Sequence, residues 1–214
     1  MRIIVIRPSY DVTTKYISAW AEKVVKFAET RGFTVIDLEK EKAKRSDFEG
    51  RIKKLEANLI FINGHGNESC IFGQDNNLLI GENNGDNLLA GKITYALSCE
   101  SAKKLGLRVS EYKNSAYIGY LDEFIFLLDS RYVSRPADDP KSKPFMESSN
   151  QVMISLIKGN TAEESSEKSK RKFLENFIKL SSSASDPDTI QSMRFLRWNM
   201  MNQVCLGDRD ALAR

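Results

Sequence analysis

Four consecutive apolar residues, Ile3 to Ile6, are followed by a polar stretch holding Pro8 and Asp11, and then by Ile17, Trp20, Val24, Val25, Phe27 and Ala28 at helical spacing up to Gly32. Phe33 to Leu38 alternates apolar with polar residues as a strand does. Asp47 to Glu56 places Phe48, Ile52 and Leu55 on one helical face, and Leu59 to Ile62 is again unbroken and apolar. Strands alternating with helices imply right-handed crossovers and a mainly parallel sheet covered on both faces, which is why the first and third strands are apolar at consecutive positions. The pattern predicts an α/β fold.

From Glu68 to Lys92 the rhythm breaks. Cys70 to Phe72 and Leu78 to Ile80 are short strand-like runs around the turn Gly73 to Asn77, with a second turn at Asn83 to Asn87, and together they read as a hairpin excursion. Ile93 to Leu97 is the fourth core strand, Ser101 to Leu105 a short helix ended by Gly106, and Ala116 to Phe126 holds a fifth strand. Residues 134–150 contain Pro136, Pro140 and Pro144 among mixed charges, the composition of a long surface loop.

Val152, Met153, Leu156 and Ile157 then form a helical face ended by Gly159, and Thr161 with Glu164 is a capping box opening a helix that carries Phe173, Leu174, Phe177 and Ile178. Ser181 to Asp188 is a second polar break. Pro187 suits the first turn of a last helix over residues 186–206, with Ile190, Met193, Leu196, Met200 and Val204 inward. Neither an internal repeat nor a boundary leaves two separate cores, so residues 1–214 are expected to form a single domain.

Composition narrows the class. With 214 residues, 41% hydrophobic and 29% charged, the chain can build a full core, which excludes global disorder. No apolar run approaches the roughly 18 residues of a membrane span, so a soluble, cytoplasmic protein is expected. A net charge of +3, with its charges interspersed, does not point to nucleic acid or an anionic membrane as partner. Lys168, Lys170, Arg171 and Lys172 read as a solvated helix face. The three cysteines, Cys70, Cys99 and Cys205, show no CxxC spacing and read as reduced thiols rather than disulfides or zinc ligands. His65 is the single histidine, so imidazole chemistry has one possible site.

In an open parallel sheet the chemistry gathers at the carboxyl ends of the strands. His65, flanked by Gly64 and Gly66, follows the third strand, and Cys99 follows the fourth. Taken singly, a loop histidine is most simply a polar loop residue, and a cysteine after an apolar strand a small core residue. Their joint placement supplies a thiol and a proton acceptor at one edge. The helix after Cys99 would favour its thiolate, and Gly64 would permit an unusual backbone angle. The backbone N–H groups of Gly66 and Cys99 would form an oxyanion hole.

The ordered set Leu59-Ile60-Phe61-Ile62-Asn63-Gly64-His65-Gly66, a hairpin, and Ile93-Thr94-Tyr95-Ala96-Leu97-Ser98-Cys99-Glu100-Ser101-Ala102 resembles the caspase-like cysteine peptidases of clan CD, and within them the CHAT branch near separase and gingipain. Tyr117-Ile118-Gly119-Tyr120-Leu121-Asp122 and Leu156-Ile157-Lys158-Gly159-Asn160-Thr161-Ala162-Glu163 fit that branch's later elements. The resemblance covers about residues 1–180 and implies a caspase-like fold. It makes His65 the base and Cys99 the nucleophile of a dyad, with Gly66 and Cys99 as oxyanion donors and no metal or cofactor. The implied partner is a protein or peptide substrate, with a regulatory protein as a second.

Two departures stand out. Ser98 replaces the alanine usual before the cysteine, and Leu97 stands where some relatives that recognise basic residues carry an acid. Asp122 and Glu123, beyond the fifth strand, are the candidates for an anionic wall facing Arg or Lys of a substrate. The alternatives are a catalytically silent caspase-like binding or signalling module and a flavodoxin-like nucleotide binder. The latter is disfavoured because Arg7-Pro8-Ser9, not a glycine-rich loop, follows the first strand.

Overall fold

The computed structural model describes residues 1–182 and 186–213. The strands are β1 (Arg2–Arg7), β2 (Thr34–Glu39), β3 (Leu59–Asn63), β4 (Cys70–Phe72), β5 (Leu78–Gly81), β6 (Ile93–Leu97), β7 (Ala116–Tyr120) and β8 (Gln203–Gly207). The helices are α1 (Val12–Thr30), α2 (Arg45–Lys54), α3 (Leu105–Ser110), α4 (Lys143–Ile157), α5 (Ala162–Ser181) and α6 (Pro187–Asn202). One sheet runs in the order β2-β1-β3-β6-β7-β8, parallel except for β8, and β4 pairs with β5 in a separate antiparallel hairpin.

The unbroken apolar runs follow from burial on two faces. Ile3 and Val5 of β1, Leu59 and Phe61 of β3, and Tyr95 and Leu97 of β6 pack under α1 and α4. Their neighbours Ile4, Ile6, Ile60, Ile62 and Ala96 pack against Phe48 and Ile52 of α2, Leu105 and Val109 of α3, and the hairpin residues Ile71, Leu79 and Ile80. Side chains on a strand alternate sides, so a strand covered twice must be apolar at every position. Helices α5 and α6 lie outside α4 and close a third, smaller cluster around Phe145, Phe173 and Leu196. The Thr161–Glu164 capping box is formed at the start of α5, with Glu164 N–H donating to Thr161 Oγ1 at 3.2 Å and Thr161 N–H to Glu164 Oε2 at 3.0 Å.

Three segments depart from the sequence pattern. The expected surface loop 134–150 is only half loop, because α4 begins at Lys143 with Pro144 in its first turn, where proline leaves no intrahelical bond unmade. Phe145, Met146, Ser148 and Ser149 are buried in that helix, since serines can line a close helix contact as readily as a loop. Its remaining residues are tied down: Trp20 Nε1 donates to Pro136 O and Ser142 Oγ at 3.1 and 3.2 Å, and Lys23 Nζ to Ala137 O at 2.9 Å.

The expected helix over 186–206 ends at Asn202, and residues 203–207 form the antiparallel edge strand β8. Val204 and Leu206 face α3 and Cys205 faces the opposite cluster, a period of two that a helical reading of Val204 overlooks. Gly106 lies inside α3 rather than ending a helix at Leu105, and residues 99–104 are turns. A β-carbon at Gly106 would stand 2.7 Å from the Tyr117 ring, so close contact with β7, not a helix stop, explains the glycine. Of the polar break Ser181–Asp188, residues 183–185 lie outside the described set.

Among the described residues no helix is long and apolar enough to cross a membrane. Removing the Thr161 cap tests the fold assignment: Thr161→Ala should lower unfolding free energy by about 1 kcal/mol in urea titration, with an unchanged denaturant slope.

Candidate active site

Strands β3 and β6 are adjacent and parallel, with Leu59 opposite Ile93 and Asn63 opposite Leu97. Gly64 N–H prolongs the ladder by donating to Leu97 O at 3.3 Å. Two residues beyond that last pair stand His65 on one chain and Cys99 on the other, so the register brings both to the same end of the sheet. Each is half-buried.

The His65 loop is held from two sides. Phe72 N–H donates to His65 O and Asn67 N–H to Cys70 O, both at 2.9 Å, which ties the loop to the hairpin. Lys104 and Leu105 N–H groups both donate to Glu68 O at 3.0 Å, which clasps it to the segment after Cys99. Gly64 has φ +152, and a β-carbon there would collide with Phe72 O, so glycine is required at this turn.

Gly66 is packed equally tightly. A β-carbon there would collide with Ser98 Oγ and lie 3.0 Å from both Cys70 O and Cys99 O. Its pairing with Ile71 is bridged by the bonds of its neighbours, and among the described residues no backbone carbonyl takes the N–H of Gly66 or of Cys99. Both amides stand beyond the tips of adjacent strands, and the Cys99 N–H acts on its own sulfur.

Sequence reasoning missed a third group. His65 Nε2 lies 2.7 Å from Asp11 Oδ2. Asp11 is the N-cap of α1, and its other oxygen, Oδ1, accepts from Thr14 N–H at 2.7 Å and from the Thr14 hydroxyl at 2.8 Å. One carboxylate thus caps a helix and holds an imidazole. Burial, the largest influence on Asp11, opposes its charge, but the hydrogen bonds from Thr14 and His65 outweigh it and hold the carboxyl below its usual range. An ionised carboxylate only accepts, so His65 carries its hydrogen on Nε2 and leaves the Nδ1 lone pair free to take a proton. The signal in the sequence was Asp11-x-x-Thr14, a capping pattern directly after a core strand.

The Cys99 thiol sits in surroundings that favour its neutral form. Burial raises its pKa first; the backbone amides of Phe124 and of Cys99 itself pull it down; the Glu123 and Glu100 carboxylates raise it again, and the sum is upward. The expected help from a helix N-terminus is not realised, because α3 starts at Leu105, six residues further along. Cys99 therefore needs a base to become a nucleophile. Cys70 is also raised by burial, and Cys205, on β8, is pushed up to about 12 by burial and by Glu163.

Asp122 and Glu123 lie beside Cys99, since Glu100 N–H donates to Asp122 O at 3.1 Å. Asp122 turns its carboxylate to its own chain, accepting from Glu123 N–H at 2.8 Å, whereas Glu123 is exposed and close enough to act on the thiol. Arg7, the last residue of β1, is occupied by Asp37 and Glu39 at 2.6 and 2.8 Å and offers nothing to a nucleotide phosphate. Lys170 and Lys172 of the basic cluster pair with Glu167 and Glu175 on their own helix. Among the described residues no group of histidine, cysteine and carboxylate side chains could hold a metal ion.

No protein-family model matches the chain, and no curated protein matches it at a significant level. Solved structures do. One is the complex of Porphyromonas gingivalis RgpB pro- and mature domains, with a TM-score of 0.57 and 10% identity, covering 100% of this chain and 48% of that one. The chain spans about half the length of that neighbour. The fold is caspase-like: a mainly parallel α/β sheet flanked by helices, with a hairpin between the third and fourth core strands.

Two measurements probe this geometry. Ser98 Oγ is buried with no hydrogen-bond partner, so Ser98→Ala should raise stability by about 1 kcal/mol in chemical denaturation, while Gly66→Ala should lower it. Alkylation of Cys99 should titrate above the ordinary cysteine value of about 8.5, because the folded chain favours the protonated thiol. By the same sign, whatever stability that preference confers is complete below the unfolded pKa and declines as pH rises through it. A flat, fast alkylation rate down to pH 5 would contradict this.

Proposed function

We propose that this chain is a cysteine endopeptidase that cleaves protein substrates through an acyl-enzyme on Cys99. The observation that carries the reading is the placement of His65 and Cys99 at equivalent positions beyond two paired parallel strands, with the imidazole held by Asp11. The caspase-like fold supports it, because the RgpB neighbour is a gingipain, from the group whose motif order the sequence resembles.

In this mechanism His65 Nδ1 takes the Cys99 proton as sulfur attacks the scissile carbonyl. The resulting oxyanion accepts hydrogen bonds from the Gly66 and Cys99 N–H groups. Collapse breaks the C–N bond, and the imidazolium returns its proton to the leaving amine. Water, deprotonated by His65, then hydrolyses the thioester and regenerates the thiol. Asp11 keeps the imidazole oriented and stabilises its charged form, so the working unit is a triad rather than the dyad read from the sequence.

For specificity, the exposed Glu123 carboxylate, whose charge is felt at the thiol, favours a cationic side chain, Arg or Lys, before the cleaved bond. Asp122 contributes by shaping the turn, since its carboxylate is engaged there. A second reading, a caspase-like module that binds without cleaving, draws on the neutral, carboxylate-flanked thiol.

Peptide-library cleavage separates the readings. Cys99→Ala and His65→Ala should abolish turnover in folded protein, and Asp11→Asn should reduce kcat by about 10²-fold or more. Glu123→Gln should cut the preference for Arg or Lys by about tenfold and make Cys99 easier to alkylate at neutral pH. Turnover persisting in Cys99→Ala would overturn the mechanism, and failure of a peptidyl thiol probe to label Cys99 would favour the binding module.

A further inference from the structure

Residues 121–129 follow β7 without entering any helix or strand, yet they run past the Cys99 segment, where Glu100 N–H donates to Asp122 O and Ala102 N–H to Tyr120 O, both at 3.1 Å. A chain segment of this kind holds its shape only if its own N–H and C=O groups find partners elsewhere. Those partners come from α6. Asn199, 0% exposed, accepts from Ile125 N–H through Oδ1 at 3.0 Å and donates through Nδ2 to Ile125 O at 2.7 Å, pairing both polar groups of one residue as a neighbouring strand would. Trp198 Nε1 donates to Glu123 O at 2.9 Å, and Leu121 N–H donates to Asn202 O at 2.8 Å. Three residues of one helical turn and its end therefore hold positions 121, 123 and 125. Phe124 sits between two of these anchors, with its ring against Tyr120 and Phe126 at centroid distances of 5.0 and 6.3 Å.

We infer that Asn199 and Trp198 are positioning residues for the wall of the Cys99 site: through the backbone of Glu123 and Ile125 they set where residues 122–124 stand relative to the Cys99 segment. Neither side chain is placed at the reacting atoms. The inference rests on Cys99 being the reactive group of the site, and it extends that reading by making α6, distant in sequence, part of substrate recognition. Trp198 is itself 40% exposed, so whatever covers or displaces its indole acts on the wall.

The test compares Trp198→Phe, which keeps a ring and removes the N–H donor, with Asn199→Ala and with Leu196→Ala, a control that weakens α6 from its buried side without touching the strap. The readout is the iodoacetamide modification rate of Cys99 relative to Cys70 and Cys205 in the same intact protein, resolved by peptide mass spectrometry.

Loss of one anchoring hydrogen bond should raise the Cys99 ratio by about fivefold in Trp198→Phe and at least as much in Asn199→Ala. Leu196→Ala should lower Tm and leave the ratio within about twofold. On cleavable peptides the two strap variants should raise KM more than they lower kcat. An unchanged ratio in folded Trp198→Phe, or an equal rise in Leu196→Ala, overturns the inference. If Asn199→Ala does not fold, Trp198→Phe decides alone. The alkylation ratio does not depend on peptide cleavage, so a wild-type chain that cleaves nothing would refute the peptidase reading while the strap is still judged.

Discussion

The parallel register of β3 against β6 is the constraint on which the candidate site depends. Two neighbouring strands, each buried on both faces, leave the sheet at the same level, with Asn63 opposite Leu97 as the last pair. A slip of one residue would turn every side chain on one strand to the wrong cluster, setting Ile60 and Ile62 against α1 and Leu59 and Phe61 against α2. The cost of that exchange, spread over a fully packed core, is what makes the positions two residues further on, His65 and Cys99, meet at one end of the molecule.

The space above that strand pair is shaped by absent side chains and by hydrogen bonds to backbone. Gly64 and Gly66 let the His65 loop pass close to the hairpin and to Ser98, and Glu68 O gathers the amides of Lys104 and Leu105 from the segment after Cys99. The proposed nucleophile and base thus sit on two loops that brace each other. The Ser98 hydroxyl is the exception in this arrangement, a buried polar group without a partner packed against Gly66.

Electrostatics assign separate states to the thiol and the imidazole. Asp11 is kept ionised by Thr14 and by His65 itself, which selects one tautomer, while burial and the Glu123 and Glu100 carboxylates keep Cys99 protonated. In the proposed mechanism the proton leaves this neutral thiol for the imidazole as the sulfur attacks. A thiol kept neutral is also less open to oxidation than a thiolate. On the proposed reading, the carboxylate that disfavours the thiolate, Glu123, is the one a cationic substrate side chain would neutralise.

The alternation of apolar strands and amphipathic helices was readable because core burial writes itself into local periodicity. Ile3 to Ile6, Leu59 to Ile62 and Ile93 to Leu97 could be nothing but doubly covered strands, and the order of their carboxyl ends already singled out His65 and Cys99. The Pro-containing segment before Asn150 and the end of α6 were misread because prolines in a first helical turn look like loop, and because Val204 satisfies helical and strand spacing alike. What only the tertiary structure decided is which distant groups meet. Asp11 reaches His65 across 54 positions, and Asn199 reaches Ile125 across 74. A hydrogen bond of that range leaves no period in the chain, since its partners are chosen by the packing of whole elements rather than by their neighbours in sequence.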